Sequence, residues 1–351
     1  VRCNRFNGKS WQVVEADWDR GEARVVAKGR DSALPTLCPG LVDIHCHGVN
    51  GFDVNEGHGA EVVGELRSLG VEWVCPTTVA GPWEELRSAI LAVPRDTPGF
   101  AGFHLEGPFL NPDRRGAQRA EFLRGPDAEE LHRELGELLD AVRIVTLAPE
   151  LPGAEGVIRY LYHRKIIVSA GHTDATAAIL EAASQVGLRH LTHFYNAMRP
   201  FHHREPGCVG FGWYSTVACE VIYDRIHVSR SAVDVLFRLK RPEDVIAVSD
   251  GTKMSGMAPG AEGRLWGHAV RLERGAVRME DGSLCGSGVT IVDVFRNLWQ
   301  DFADGAERAI RACSLNPRRA LGLPTPSVWL LVAPDGEILE TRAGMLHEPA
   351  V

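Results

Sequence analysis

Between residues 39 and 324 the chain repeats one pattern eight times: a short apolar run of strand length followed by a longer stretch. The runs are GLVDIHCHG, VEWVCPTTV, GFHLEGPF, RIVTLAPE, KIIVSAGHT, HLTHFYNAM, VACEVIYDRIHV and DVIAVSDG. Intervening segments such as AEVVGELRSLG and ATAAILEAASQVG have helical spacing and are rich in good helix formers. Strand–helix alternation of this kind predicts a β/α fold with a parallel sheet. Nearly every run ends in a polar, reactive residue, which fits a TIM-type (β/α)8 barrel better than a doubly wound sheet, because barrel strand ends form one active face.

The two ends of the chain read differently. WQVVEADW and EARVVAKG alternate and are broken by Gly and Asp, and SVWLLVAPDGEILETRAG reads as two strands about a Pro-Asp-Gly turn. Neither end can build a core alone. Residues 1–38 and 325–351 are therefore expected to form one small β-sandwich domain, built from antiparallel strands, beside a catalytic barrel at 39–324. With 351 residues there is room for both.

The formal charge of -8 argues against a broad nucleic-acid or anionic-membrane surface but leaves room for a local basic pocket; the partner expected is a small-molecule substrate. No apolar stretch is long enough to span a membrane, and VRCNRFNGKSW lacks a signal-peptide core. Eight scattered cysteines without a CxxC pair read as reduced thiols, so a cytoplasmic location is expected.

In PGLVDIHCHG (39–48), a strand from Leu41 to His47 places Asp43, His45 and His47 on one face and Ile44 and Cys46 on the other. Two imidazoles on one face can begin a metal site, or simply be polar residues leaving a sheet. The other strand ends offer Glu106 on the third run, His172 on the fifth, His193 on the sixth, His227 after the seventh and Asp250 on the eighth. A histidine near a strand end is often hydrogen-bonded scaffold, but a closed barrel would bring all seven to one level. Imidazoles with a carboxylate suit Zn²⁺, Fe²⁺, Mn²⁺ or Co²⁺, and the last aspartate could move a proton.

HLEGPFLNPDRRGA (104–117), TLAPE (146–150), SAGHTDAT (169–176), THFYNAM (192–198), REPG (204–207), DRIH (224–227), VSDGT (248–252) and LCGS (284–287) follow in order. With PGLVDIHCHG and NPRRALGL (316–323), this set resembles the amidohydrolase superfamily and, within it, the N-acetylglucosamine-6-phosphate deacetylases. The resemblance implies Glu106, His172 and His193 as the main metal ligands, His45 and His47 as a second position bridged by Glu106, and Asp250 as catalytic acid/base. It implies one or two divalent ions per subunit and a homodimer. Substrate contacts are implied at Ala117, Gln118, Asn196, Ala197, Arg204 (the phosphate), His227, and Leu284, Cys285 and Gly286, the last three as a loop over the acetamido side. The bland alternatives are a surface salt bridge for Arg204 and an ion pair between Glu106 and Arg114 or Arg115.

Three positions depart from the family pattern. Gln118 stands where a histidine is usual, Arg225 where the DGxH motif has glycine, and Gly251 where alanine is common. An amide donates but carries no proton, and arginine lacks glycine's freedom at positive φ. A sibling enzyme acting on another N-acyl amino sugar phosphate is therefore an alternative. A catalytically silent sugar-phosphate-binding barrel is a third reading, opposed by the intact ligand set.

Overall fold

The computed structural model describes residues 1–346, so the last part of the expected C-terminal β segment, residues 347–351, lies outside the described residues. Eight parallel strands follow one another around a barrel in chain order: Leu41–Cys46, Val71–Thr78, Phe103–Glu106, Val142–Leu147, Ile167–Ala170, Leu188–Leu191, Ala218–Ile222 and Val245–Val248. Residues Leu41–Cys46 are buried without exception, as expected for a strand covered on both faces. The first and eighth strands meet just past their C-terminal ends. There Asp250 N donates to His45 O (2.9 Å) and His47 N donates to Gly251 O (2.7 Å), beside a parallel bridge between Cys46 and Gly251. The hydrogen bonds that close the barrel thus join the two segments carrying His45, His47 and Asp250.

The helices form where the sequence places their signals. Ala177–Val186 begins at Thr176, whose hydroxyl accepts from Ile179 N, and stops at Gly187, at φ +134°. Ala177, Leu180 and Ala183 are its buried face.

Both chain ends come together in one six-stranded sheet, ordered Ile338–Ala343, Val328–Val332, Thr36–Pro39, Arg2–Phe6, Trp11–Asp17 and Glu22–Lys28. Most of its pairs are antiparallel, but Arg2–Phe6 runs parallel to Thr36–Pro39, a pairing that hairpin signals alone could not anticipate. Pro39 still pairs with Trp329 in this sheet, while Leu41 already pairs with Val71 in the barrel. Gly40 between them has no room for a side chain: a Cβ there would lie 2.7 Å from Glu72 Cβ.

Glu72 ties the two bodies together. Its carboxylate accepts from Arg318 Nη2 and from the N–H and hydroxyl of Ser327 (2.7 and 2.8 Å), with Glu72 and Arg318 both buried. Removing one member of a buried ion pair leaves an uncompensated charge, costing about 3–5 kcal/mol. Glu72→Ala should therefore lower the thermal unfolding midpoint clearly. An unchanged midpoint would show that water replaces the carboxylate at Arg318.

An antiparallel four-stranded sheet, which the sequence reading did not anticipate, is inserted after the eighth barrel strand: Glu262–Leu265, His268–Glu273, Ala276–Met279 and Leu284–Ser287. It has its own core of Met254, Leu265, Val270, Leu272, Val277 and Cys285. Leu284, Cys285 and Gly286, expected as a loop, lie on its last strand. Ser287 N donates to Asp250 O (2.8 Å), fastening the insertion to the barrel rim.

Candidate active site

His172, His193 and Asp250 each lie two residues past the end of a barrel strand, and each has a positive φ, +48°, +31° and +48° respectively. Positive φ is uncommon outside glycine, and such strain, of order 1–3 kcal/mol per residue, persists where the surroundings over-determine the position. Here the chain turns inward immediately after each strand, aiming three side chains at one point. Glu106 is the last residue of its strand, and Gly107, at φ +93°, turns the chain away behind it. His45 lies within the first strand and His47 one residue beyond it.

The six groups converge. The Nε2 atoms of His172 and His193 lie 3.0 Å apart and each is 3.0 Å from Glu106 Oε1. His45 Nε2 is 3.2 Å from His47 Nε2 and 3.5 Å from Glu106 Oε1, while His47 Nε2 is 3.5 Å from Glu106 Oε2. Glu106 is therefore common to two potential ligand groups. Asp250 Oδ1 stands 3.1 Å from His47 Nε2 and 3.4 Å from His45 Nε2.

The outer ring nitrogens set the tautomers. A carbonyl oxygen only accepts, so His172 Nδ1 donates to Arg114 O (2.9 Å) and His47 Nδ1 to Thr77 O (3.1 Å), leaving the Nε2 lone pairs at the centre. His45 Nδ1 faces Glu220 Oε2 at 3.4 Å. Inward lone pairs crowded around carboxylate oxygens are a donor set for a cation.

The electrostatics agree. Burial pulls the His45 pKa down, yet Asp250, Glu220 and Glu106 raise it to about 9, which reports strong negative potential at the centre. Burial opposes ionisation of Glu106, but His172, His193 and His45 hold its carboxyl well below the usual range. Asp250 is likewise lowered against its burial by His45 and His47. A dication would offset this charge excess.

A cavity of about 330 Å³ opens over the cluster and is lined by His47, Glu106, His172, His193 and Asp250. Ala117, Gln118, Asn196, Ala197, His227, Leu284 and Gly286 also line it, as the family resemblance implied. Two expected contacts do not. The Cys285 side chain is buried in the insertion core, because alternation along its strand turns it away while Leu284 and Gly286 face the cavity. Arg204 is exposed and outside the lining residues, with its guanidinium 2.9 Å from His203 Nε2.

The departures take definite forms. Gln118 is buried, accepting from Ala80 N (2.8 Å) and donating to Glu106 Oε2 (2.6 Å), so it positions the shared carboxylate. Arg225 adopts φ +70° and makes a bidentate pair with Asp301 (2.7 and 2.8 Å), keeping the positive-φ turn without touching the cavity. Asp224 accepts from His227 N and Nδ1 and so orients His227. Arg114 pairs with Asp174 and lines the cavity, and Glu106 meets histidines and Gln118 rather than an arginine.

Several site residues escaped the sequence reading. Glu220, fully buried beneath His45 and His190, had a signal: it is the one acid in the apolar run VACEVIY. Burial opposes its ionisation, but hydrogen bonds to His190 and His45 hold it below the usual carboxylate range. His104 uses both ring nitrogens, on Ile44 O (3.0 Å) and Thr146 Oγ1 (2.7 Å), and is scaffold. Trp266, which lines the cavity from the insertion, had no signal at all.

No protein-family model matches the chain. It is 31% identical to N-acetylglucosamine-6-phosphate deacetylase of Lysinibacillus sphaericus over 327 residues, covering 90% of this chain and 83% of that protein. It is 34% identical to N-acetylgalactosamine-6-phosphate deacetylase of Escherichia coli O157:H7 over 305 residues, covering 84% and 80%. Among solved structures, a point mutant of N-acetyl-D-glucosamine-6-phosphate deacetylase from Mycobacterium smegmatis, in complex with N-acetyl-D-glucosamine-6-phosphate, superimposes with a TM-score of 0.86 at 28% identity. That match covers 98% of this chain and 99% of that one. With identity above 30% spread across most of the chain and a solved structure of the same enzyme superimposing over nearly its whole length, this chain belongs to the N-acetylglucosamine-6-phosphate deacetylase family.

Proposed function

We propose that the chain hydrolyses the N-acetyl group of N-acetylglucosamine 6-phosphate, giving glucosamine 6-phosphate and acetate, with one or two divalent ions of the Zn²⁺, Fe²⁺, Mn²⁺ or Co²⁺ type held by Glu106, His172 and His193 and by His45 and His47. The observation that carries this reading is the convergence of Glu106, His172 and His193 at 3.0 Å beside Asp250, at the floor of a cavity large enough for a sugar. An ion bound there supplies Lewis-acid polarisation of the amide carbonyl and acidifies water.

The protein's own groups do the rest. Asp250, ionised and buried, takes the proton from the attacking water and passes it to the leaving nitrogen. Gln118 spends one N–H on Glu106 and keeps a second for the carbonyl oxygen, where it acts as a fixed donor rather than a proton carrier. Asn196, Ala197 and His227, which line the cavity after the sixth and seventh strands, receive the sugar.

Arg204 supports recognition of the phosphate in this reading. It sits on the segment that leaves the cavity at Asn196 and Ala197, and its exposed guanidinium is a planar donor array suited to a dianion. A charge-assisted contact contributes roughly 1.5–3 kcal/mol, or about 10- to 150-fold. Arg204→Ala should lower kcat/KM for the 6-phosphate by about that factor while barely moving the slow rate on N-acetylglucosamine. Equal losses on both would make Arg204 a structural residue and place the phosphate elsewhere.

The second reading is favoured by the N-acetylgalactosamine-6-phosphate deacetylase match: a sibling activity on another epimer. Acetate release from the 6-phosphates of N-acetylglucosamine, N-acetylgalactosamine and N-acetylmannosamine, with each metal in turn, decides between them. No release from any would leave the silent barrel. A homodimer, implied by the family resemblance, belongs to this proposal. So does a cytoplasmic location, supported by eight cysteines that are all free and buried. Among the described residues no helix is long and apolar enough to cross a membrane.

A further inference from the structure

Leu265 pairs with His268, so Trp266 and Gly267 form a two-residue hairpin loop at the tip of the insertion, with φ +49° and +92°. Positive φ at both positions is the type I′ geometry, which favours Asn, Asp or Gly at the first. A tryptophan there is held against its backbone preference, so its side-chain contacts must hold it. Its ring meets His47 edge to face at 5.0 Å between centroids. The ring also roofs Gly286: a Cβ on that residue would lie 3.8 Å from Trp266 Cη2. Its Nε1 is buried with no hydrogen-bond partner among the described residues.

The polar part of the cavity lining is made of histidines and carboxylates, with Asn196 and His227 on the segments after the sixth and seventh barrel strands. Trp266 and Ala117, which pack against the insertion core, and Leu284, on its last strand, make an apolar corner of the lining. A scissile amide placed over Glu106, His172 and His193 with its sugar toward Asn196 and His227 directs its acyl chain into this corner. We propose that Trp266 is the residue that sets the acyl length this enzyme accepts, closing the corner behind an acetyl methyl. The inference rests on the deacetylase reading and adds to it a specificity determinant.

Trp266→Gly tests it while keeping the turn's backbone, since glycine suits φ +49° better than tryptophan does. The intact enzyme, loaded with its metal, is assayed on N-acetyl, N-propanoyl and N-butanoyl glucosamine 6-phosphates. A pocket wall distinguishes chains by about 10- to 200-fold per methylene. The wild type should prefer acetyl to butanoyl steeply, and Trp266→Gly should reduce that preference at least about tenfold, with Trp266→Phe in between. An unchanged ratio of kcat/KM values, or an equal loss on all three substrates, overturns the inference while leaving the deacetylase reading standing. A wild type that releases acid from none of them overturns the reading itself, and the inference with it.

Discussion

Asp250→Asn should bind substrate nearly as well as the wild type and turn it over at least about 10²-fold more slowly, the lower end for removing an acid/base group. The geometry makes the test clean. Asn is nearly isosteric, so the closing hydrogen bonds from Asp250 N to His45 O and from Ser287 N to Asp250 O, which involve only backbone, survive the change. What is lost is the carboxylate 3.1 Å from His47 Nε2, held ionised against burial by His45 and His47. Single-turnover kinetics with metal content measured on the same sample separates proton transfer from metal loss. A fully metallated variant with a near-normal rate would remove Asp250 from the proton path.

Metal retention should divide the ligands unequally. His172→Ala opens the tightest triangle, three ligand atoms at 3.0 Å, and should lower affinity for the ion that activity needs by more than the roughly 10- to 100-fold typical of losing an outer hydrogen-bond partner. Removing His45 and His47 together takes away atoms 3.5 Å from Glu106 and should cost one ion of two, leaving the first in place. Elemental analysis after dialysis against a weak chelator reads both directly, with no substrate present. Loss of all metal from the double variant, with full retention in His172→Ala, would reverse the order of the two positions.

Local sequence was informative wherever a property is periodic or confined to a strand end. The alternation in LVDIHCH is a consequence of strand geometry, and the structure buries Ile44 and Cys46 in apolar clusters while turning His45 and His47 to the centre. Thr176 before Ala177–Val186 and Gly187 after it act within a few residues, so that helix could be read from its own segment. Glu106, His172, His193 and Asp250 could be named because a reactive side chain directly after a buried run has only the barrel mouth to occupy.

What depends on residues far apart in the chain was decided by tertiary structure alone. The parallel pairing of Arg2–Phe6 with Thr36–Pro39, and the seat of Gly40 against Glu72, follow from two sheets meeting at one residue. The insertion at 262–287 has ordinary strand and turn composition, so nothing local says that it folds back over the barrel mouth, that Cys285 points away from the cavity, or that Trp266 points into it. Gln118 illustrates the division. Its chemistry, a donor that carries no proton, is a property of the amide and was plain from the sequence. Its partners lie on neighbouring strands, Ala80 N just after the second and Glu106 Oε2 at the end of the third, and only the pairing of those strands brings them within 2.8 and 2.6 Å.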